Sequence, residues 1–363
     1  MTSSIELLRP ELREFVAYAA GSPRRGVLRL HANESSWRAA WDETDDGLNR
    51  YPDPRPAALL EALAALYSVP AEAVLATRGS DDAIDLLVRA FCRAGEDAVL
   101  VCPPTFGMYS VAARLQGAAV VEVPLKRDFA LDAAAVASAA SARSNVKLVF
   151  LCSPNNPTGN TIAPATVERL CRTLQGRSMV VVDEAYIEFA RFEGLASRLA
   201  ALPNLVLLRT ISKAWGLAGA RIGAILAAPE LVTALRGLAP PYPLPSLAVE
   251  AALRRLQPAE LAGARRRTAG VVQRRERLAA ELRSLPEVKR VWPSEGNFLL
   301  VRFADASGAM SACEAAGILV RDFSSRPRLR GCLRITVGTA AENRRLLRAL
   351  GRLGGATRGQ VNG

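Results

Sequence analysis

The feature that most constrains the fold is a repeated alternation of continuous apolar runs with segments of helical periodicity. The apolar runs are residues 98–102, 120–123, 148–152, 179–182 and 205–208. Short apolar runs without polar alternation are typical of strands that are buried on both faces. Stretches with apolar residues at helical spacing, such as residues 163–174, lie between them. The sequence therefore predicts an α/β fold with a mostly parallel central sheet covered by helices.

The pattern changes after a proline-rich segment that ends at Pro245. A long charged helical stretch (259–285) is followed by short apolar runs and further helical patterns, which predict a second, smaller α+β domain. The arginine runs 265–267 and 274–275 in that stretch are expected to form a solvated face. The expected organisation is an N-terminal arm (1–30), a large domain (31–245), a small C-terminal domain (246–355) and a disordered tail (356–363).

Polar side chains follow the predicted strands at their carboxyl ends. They are Tyr109, Asn156, Asp183, Tyr186, Ser212 and Lys213. In sheets of this kind, ligands bind outside the carboxyl ends of the strands, so we expect these side chains to converge on one site. Their repeated placement indicates a ligand site more strongly than any single motif does.

Lys213 is unusual because lysine is scarce in this chain. Only four of the 47 Lys plus Arg residues are lysines. An arginine stays protonated, whereas a lysine can lose its proton and act as a nucleophilic amine. Lys213 is therefore a candidate for Schiff-base chemistry with an aldehyde. The alternative is an ordinary lysine that remains in an arginine-rich chain.

Ser80 and Asp81 follow Gly79 and precede a helical pattern. A helix that begins here would present free backbone N–H groups, which bind phosphate well. The alternative is a plain helix that is capped by Ser80 or Asp81. Ser212 and Arg221 could add a hydroxyl group and a bidentate guanidinium to the same phosphate.

Together, these groups suit an aldehyde cofactor that carries a ring nitrogen, a phenolic oxygen and a phosphate. Asp183 would keep the ring nitrogen protonated, which makes the ring an electron sink. Lys213 would bond the aldehyde and, once displaced, would move a proton between substrate and cofactor carbons. Tyr186 and Asn156 would hydrogen-bond the phenolic oxygen, and Tyr109 would offer a flat face for the ring.

Bulk properties disfavour several other classes of protein. The net charge of +12 invites a nucleic-acid hypothesis, but the arginines are spread among acidic residues and aromatic residues make up only 6%. We expect attraction of anionic small substrates instead, with no nucleic-acid partner. No run reaches the ~20 apolar residues of a membrane span, and no signal peptide is evident, which predicts a cytoplasmic protein without a membrane partner. The six cysteines form no C-x-x-C pair and indicate buried hydrophobes, not a metal site.

Several motifs are specific enough to compare with known families. They include Pro-Pro-Thr-Phe-Gly-Met-Tyr (103–109), Cys-Ser-Pro-Asn-Asn-Pro-Thr-Gly (152–159), Asp-Glu-Ala-Tyr (183–186), Arg-Thr-Ile-Ser-Lys-Ala (209–214) and Leu-Arg-Ile-Thr-Val-Gly (333–338). With these motifs the chain resembles, over nearly its whole length, the histidinol-phosphate aminotransferase family, whose members have the aspartate-aminotransferase fold (fold type I). The resemblance implies pyridoxal 5'-phosphate as cofactor. It also implies amino transfer between L-glutamate and imidazole-acetol phosphate, which gives L-histidinol phosphate and 2-oxoglutarate in histidine biosynthesis.

The resemblance further implies roles for residues outside the strand-end pattern. Arg334 would bind the α-carboxylate of the substrate. Arg321 and Tyr18 would lie near its distal phosphate, and Asn33 is a further substrate-binding candidate. Tyr51 would reach the cofactor phosphate of the neighbouring subunit, which implies a homodimer with shared sites.

Three alternatives stay open from the sequence alone. An aromatic amino acid aminotransferase shares all of the cofactor residues, and a threonine-phosphate decarboxylase is a lyase on the same scaffold. A cofactor-sensing domain of a transcription regulator is disfavoured, because the arm before Asn33 is too short for a helix-turn-helix. The chain departs from the usual family pattern at His31, Asp82, Trp215 and Ala220, and none of these changes removes a chemical role.

Overall fold

A seven-stranded sheet forms the centre of the protein in a computed structural model, which describes residues 4–16, 18 and 27–352. Its strands are β1 (Val74–Thr77), β2 (Ala98–Val101), β3 (Ala119–Glu122), β4 (Val146–Cys152), β5 (Met179–Asp183), β6 (Leu205–Thr210) and β7 (Gly223–Leu226). Their order across the sheet is β1-β7-β6-β5-β4-β2-β3. Among these described strands β7 runs antiparallel to both of its neighbours, β1 and β6, and the other neighbouring pairs are parallel. The predicted, mostly parallel central sheet is confirmed.

Helices cover both faces of this sheet, as continuous apolar strands predict. They are α1 (Ala57–Tyr67), α2 (Ser80–Phe91), α3 (Met108–Leu115), α4 (Ala133–Ser141), α5 (Pro164–Leu174), α6 (Pro229–Leu238) and α7 (Ser246–Arg255). On one face, strand residues such as Val149 and Val180 share a core with α1 and α5. On the other face, Leu148 and Phe150 share a core with α2 and α3. Every residue of β5 and β6 is buried.

A second, antiparallel sheet follows α7 in the chain. Its strands are β8 (Val288–Val291), β9 (Phe298–Phe303), β10 (Arg321–Asp322) and β11 (Cys332–Thr336), in the order β10-β11-β9-β8. The helices α8 (Pro258–Arg283), α9 (Ala306–Ala315) and α10 (Ala340–Gly351) share a separate apolar core with it. This agrees with the predicted smaller α+β unit. None of the helices in the described ranges is long and apolar enough to cross a membrane.

The domain boundaries at residues 30, 245 and 355 stay predictions, and the tail predicted at 356–363 lies outside the described residues. The described part of the N-terminal arm forms two short 3-10 helices, Ser4–Leu7 and Pro10–Leu12. Leu8 packs into the core beside α2, and the backbone N–H of Arg9 donates to the carbonyl oxygen of Ala90 at 3.0 Å. These contacts anchor the arm to the end of α2.

One prediction for α8 is wrong. The arginine run 265–267 is exposed, as expected of a solvated face, but Arg275 is only 1% exposed. Its guanidinium donates to the carbonyl oxygens of Phe189 at 3.3 Å and Gly296 at 2.9 Å, and to Glu276 at 3.1 Å. Burial of a guanidinium is tolerated where its N–H donors find acceptors. Arg275 thus joins α8 to the turn after β5 and to the loop before β9.

All six cysteines are free and buried, which confirms that they act as small hydrophobes. Burial raises the pKa of Cys102 to about 12. A thiol with so high a pKa stays protonated and unreactive near neutral pH.

Gly223 allows β7 to fit between β1 and β6, because a Cβ atom at this position would lie 2.7 Å from the carbonyl carbon of Gly79 and 2.9 Å from the carbonyl oxygen of Arg209. We predict that Gly223→Ala lowers the free energy of unfolding by about 1–3 kcal/mol, since backbone atoms cannot move aside without a shift of the strand. Urea unfolding measures the change. Gly219→Ala is the control, because a Cβ atom at that position would meet nothing within 4 Å. Equal stability of Gly223→Ala and the wild type would contradict this close packing.

Candidate active site

The carboxyl ends of β5 and β6 lie side by side and open into a cavity. Asp183 ends β5 and pairs with Leu208 of β6, so the segment after β6 begins at the same edge. Eight of the residues predicted from the sequence line the cavity: Ser80, Asp81, Asn156, Asp183, Tyr186, Ser212, Lys213 and Arg221. Parallel strands bring these residues together, because their carboxyl ends share one edge of the sheet.

Asp183 is 3% exposed and accepts two hydrogen bonds. The hydroxyl of Tyr109 donates to its Oδ2 at 2.8 Å, and the backbone N–H of Ala185 donates to its Oδ1 at 3.0 Å. Burial raises the pKa of Asp183 to about 6, although both hydrogen bonds act in the opposite direction. At neutral pH this carboxylate is therefore ionised and can hold a proton on a neighbouring basic nitrogen.

Tyr109 does not have the position that was predicted from the sequence. The residue is fully buried, its ring stacks on Phe150 with centroids 4.9 Å apart, and it does not line the cavity. Phe106, which contacts Tyr109 edge-on at 5.6 Å, lines the cavity together with Tyr186. The first turn of α3 directs Tyr109 inward to Asp183, whereas Phe106 precedes the helix. Tyr109 is thus a hydrogen-bond donor to Asp183, and Phe106 is the aromatic residue of this motif that lines the cavity.

Lys213 places its amine beside the ring of Tyr186, with Nζ 5.8 Å from the ring centroid. Part of the side chain is open to solvent. Partial burial lowers the pKa of Lys213, and the nearby charges of Arg334 and Arg221 lower it further. A lysine with a lowered pKa loses its proton more easily, which suits a nucleophilic amine.

The helix α2 begins at the cavity, but Ser80 and Asp81 do not cap it. The N-cap is Gly79, whose φ of +82° favours glycine, and no side chain caps the helix. The first backbone N–H groups of α2 therefore stay available to an anion. The absence of a side chain at Gly79 also admits the guanidinium of Arg221, since Nη2 would lie 2.5 Å from a Cβ atom there.

Arg221 and Ser212 complete a set of phosphate donors around this helix end. Arg221 Nη2 lies 3.4 Å from Asp81 Oδ2, and both side chains are about half exposed. An exposed ion pair of this length contributes little, so a phosphate can compete for the guanidinium. The hydroxyls of Thr210 and Ser212 lie 2.9 Å apart, and the backbone N–H of Ser212 donates to the Thr210 hydroxyl at 3.1 Å, which holds Ser212 at this edge of the cavity.

Arg334 lies on β11 and reaches the cavity wall from the second sheet. Its Nη1 donates to Oδ1 of Asn156 at 2.5 Å, and its guanidinium lies over the rings of Phe298 and Phe323 at 5.4 and 5.5 Å. Burial lowers the pKa of Arg334. No carboxylate in the described ranges forms an ion pair with it, so the arginine is available to an anionic ligand. Arg321 pairs with Arg334 across β10 and β11 and adds a second positive charge nearby.

Three residues that the resemblance implied lie elsewhere within the single chain. Tyr51 is half exposed and stacks on Tyr242 with ring centroids 4.6 Å apart. Asn33 is exposed, with φ at +54°. Tyr18 lines a different and larger cavity between the arm and α6. None of the three lines the Lys213 cavity of its own chain.

Four residues that line the cavity were not predicted from the sequence, namely Cys152, Ala185, Thr210 and Phe106. Cys152 and Thr210 end β4 and β6, and Ala185 lies two residues after the end of β5, so the strand-end pattern already pointed to these three positions. Their side chains are small or apolar, and therefore they did not stand out as chemical groups. Phe106 was not chosen because Tyr109, in the same motif, is the more polar aromatic residue.

The sequence model of the aminotransferase class I and II family matches residues 26–350. A protein of Stenotrophomonas maltophilia, named histidinol-phosphate aminotransferase, is 51% identical over 351 residues, which cover 95% of this chain and 96% of that protein. The crystal structure of histidinol-phosphate aminotransferase from Sinorhizobium meliloti in complex with pyridoxal-5'-phosphate has a TM-score of 0.76 and 28% identity. That match covers 85% of this chain and 83% of the other. The aspartate aminotransferase of Thermus thermophilus with maleate has a TM-score of 0.71 and 26% identity, over 84% and 83% of the two chains.

The two sheets and the cavity at the strand ends define an enzyme of the aspartate-aminotransferase-like fold. The expected fold class is thereby confirmed. The chain belongs to the class I and II aminotransferases and, within them, to the histidinol-phosphate aminotransferase family.

The raised pKa of Asp183 predicts a pH dependence of stability in the protein without added ligand. Because the folded pKa of about 6 lies above the ordinary 3.8, the native state binds more protons than the unfolded state between these values. The free energy of unfolding of the wild type, relative to Asp183→Asn, should therefore fall from about pH 4 to about pH 6 and stay level above. Urea unfolding across this range measures the difference. A difference that rises with pH in this window would contradict the burial of an ionising carboxylate.

Proposed function

We propose that the protein transfers an amino group between L-glutamate and imidazole-acetol phosphate, with pyridoxal 5'-phosphate bound in the Lys213 cavity. The products are L-histidinol phosphate and 2-oxoglutarate. The observation that carries the proposal is that one cavity unites an amine of lowered pKa, a buried carboxylate and the N-terminus of α2. The 51% identity to the Stenotrophomonas relative supports this substrate pair. The buried free cysteines suit a reducing compartment, so we place the reaction in the cytoplasm.

The side chains around the cavity fit each group of this cofactor. When bound, pyridoxal 5'-phosphate supplies a pyridine ring that withdraws electrons from the substrate carbon. The Asp183 carboxylate would keep the ring nitrogen protonated. Asn156 and Tyr186 offer N–H and O–H donors to the phenolic oxygen, and Phe106 would contact the ring face. The N–H groups of α2, together with Ser212 and Arg221, would bind the phosphate.

Lys213 has two tasks in the proposed reaction. Its amine would hold the cofactor through the aldehyde group. As a free amine, Nζ would act as the base that takes the proton from the substrate Cα and would then deliver a proton within the same site. Both tasks need a neutral amine for part of the cycle, which burial and the positive charges of Arg334 and Arg221 favour by lowering the pKa of Lys213.

Arg334 and Arg321 would orient the anionic ends of the substrates. Arg334 has a fixed guanidinium between two aromatic rings, which suits bidentate binding of the glutamate α-carboxylate. Arg321 is exposed beside it and would meet the distal phosphate of histidinol phosphate. We propose Tyr18 and Asn33 as further substrate contacts.

We also propose that the protein is a homodimer in which each site takes Tyr51 from the other subunit. Several large apolar side chains in residues 27–51 are exposed in the single chain: Leu28 (76%), Leu30 (81%), Trp37 (73%), Trp41 (75%) and Tyr51 (49%). A concentration of exposed apolar side chains of this kind usually marks an interface. A second copy of the chain would cover it.

The substrate assignment is tested by comparing amino donors. The purified protein, with added pyridoxal 5'-phosphate and 2-oxoglutarate, receives L-histidinol phosphate, L-phenylalanine, L-tyrosine or L-threonine phosphate, and formation of L-glutamate and release of CO2 are measured. We expect kcat/KM for histidinol phosphate to exceed that for the aromatic donors by at least about tenfold, because the arginine pair favours a phosphate. A preference for phenylalanine would indicate an aromatic aminotransferase. Release of CO2 from threonine phosphate without glutamate would indicate the decarboxylase.

Shared sites predict complementation between inactive variants. Tyr51→Ala and Lys213→Ala proteins are unfolded together and refolded as a mixture, so that hybrid dimers form. Each hybrid has one site with both Lys213 and the partner's wild-type tyrosine, and random mixing should restore about a quarter of wild-type activity. A mixture of Asp183→Ala with Lys213→Ala is the matched control. Asp183 and Lys213 of one site come from the same chain, so each site of this hybrid lacks one of the two residues. Equal activity in the two mixtures would contradict the shared site.

A further inference from the structure

Arg209 is a charged residue in a buried strand, and it bridges two carboxylates. Its Nη1 lies 3.0 Å from Glu184 Oε2, and its Nη2 lies 2.9 Å from Glu188 Oε1. The three side chains are 10%, 2% and 12% exposed. We call this group of three residues the Arg209 bridge.

The positions of the two carboxylates connect the bridge with the active site. Glu184 directly follows Asp183, and Glu188 lies in the 3-10 helix Ile187–Phe189 that directly follows Tyr186. One guanidinium thus fixes both ends of the segment that carries Asp183 and Tyr186. Arg209 itself lies on β6, four residues before Lys213 in the chain.

The Arg209 bridge lies on the face of the sheet opposite the cavity. The guanidinium carbon of Arg209 lies 4.5 Å from the ring centroid of Tyr67, which packs in the same core as Leu207. Leu208 points the other way, into the core that contains Tyr109 and Phe150. The bridge is absent from the lining of the cavity, so its effect on a bound ligand must pass through the backbone.

Apolar side chains would fill the space of the Arg209 bridge at a lower cost in free energy than these buried charges do. Nε of Arg209 and Oε2 of Glu188 are buried without a hydrogen-bond partner among the described residues. Buried ion pairs contribute little net stability compared with apolar side chains of similar volume. What a bidentate arginine adds is a defined distance between the groups that it joins.

We propose that Arg209 is a positioning residue that sets the spacing of Asp183, Tyr186 and Lys213 by joining β6 to both ends of the segment after β5. The inference rests on the proposed function, because these three residues are the groups that would hold the cofactor and move the proton. A small misplacement of such groups can lower the rate by about 100-fold, so the bridge has catalytic consequences without contact to the substrate.

The test compares Arg209→Lys with a control variant at the amino ends of the strands, the end of the same sheet that lies away from the cavity. Lysine keeps the charge but cannot join two carboxylates in a fixed fork. Asp97 is also a buried carboxylate in ion pairs, with Arg93 at 3.2 Å and Lys147 at 3.9 Å, and it directly precedes β2. Asp97→Asn therefore disturbs a buried ion pair of the same sheet far from the strand ends that form the cavity.

Three quantities are measured on each protein after addition of pyridoxal 5'-phosphate: the pH midpoint of the cofactor absorbance change, kcat with KM for glutamate, and the melting temperature. For Arg209→Lys we expect a shift of the pH midpoint by about half a unit or more and a loss of kcat of about tenfold, with KM changed less than about threefold. Asp97→Asn should lower the melting temperature but leave the pH midpoint and kcat unchanged. Glu188→Gln, which removes one charge and keeps the shape, should give smaller changes in the direction of Arg209→Lys and serves if that variant fails to fold.

The outcomes separate this inference from the proposed function. If the wild type shows the cofactor absorbance and transaminates, but Arg209→Lys and Glu188→Gln lower only the melting temperature, the bridge is purely structural and the inference is overturned. A wild type that takes up no cofactor would overturn the proposed function and the inference together. A shifted midpoint in both bridge variants, with an unshifted midpoint in Asp97→Asn, supports the positioning role.

Discussion

The parallel pairing of β5 with β6 is the constraint on which the site depends. Asp183 pairs with Leu208, and the backbone N–H of Glu184 donates to the carbonyl oxygen of Leu208 at 3.0 Å, so the ladder continues past the end of β5. A slip of one residue would turn Asp183 to the opposite face of the sheet. Because every residue of both strands is buried, such a slip would also place apolar side chains against the wrong core. The register thus determines where the acid and the amine meet.

The electrostatics of the cavity depend on a surplus of positive charge. Burial lowers the pKa of both Lys213 and Arg334; the charges of Arg334 and Arg221 add to the effect at Lys213, and the charge of Arg321 adds to it at Arg334. Phosphate and carboxylate groups would relieve this repulsion, and the cofactor and both substrates in the proposed reaction carry such groups. The net charge of +12 acts in the same sense over longer distances, since it attracts anionic small molecules to the protein.

Much of the architecture follows from local patterns, because buried parallel strands leave continuous apolar runs in the sequence. The short strands β1 and β7 did not stand out, since their pairing depends on the rest of the sheet and on the close approach at Gly223. Arg275 was wrongly placed in solvent, because the carbonyl groups that surround it come from residues far away in the chain. For the same reason the sequence did not distinguish Phe106 from Tyr109: only the packing of α3 against Phe150 decides which ring faces the cavity. The expectation that residues at the carboxyl ends of parallel strands converge, by contrast, depends on no distant contact, and eight of the predicted residues do line one cavity.

The central claim is that Lys213 is the amine that holds the cofactor. The most direct measurement is reduction of the protein with borohydride after addition of pyridoxal 5'-phosphate, followed by mass spectrometry of its peptides. We expect a single phosphopyridoxyl group on the peptide that contains Lys213, and none on peptides with Lys126, Lys147 or Lys289. A stable adduct on one of those other lysines, with Lys213 unmodified, would contradict the claim.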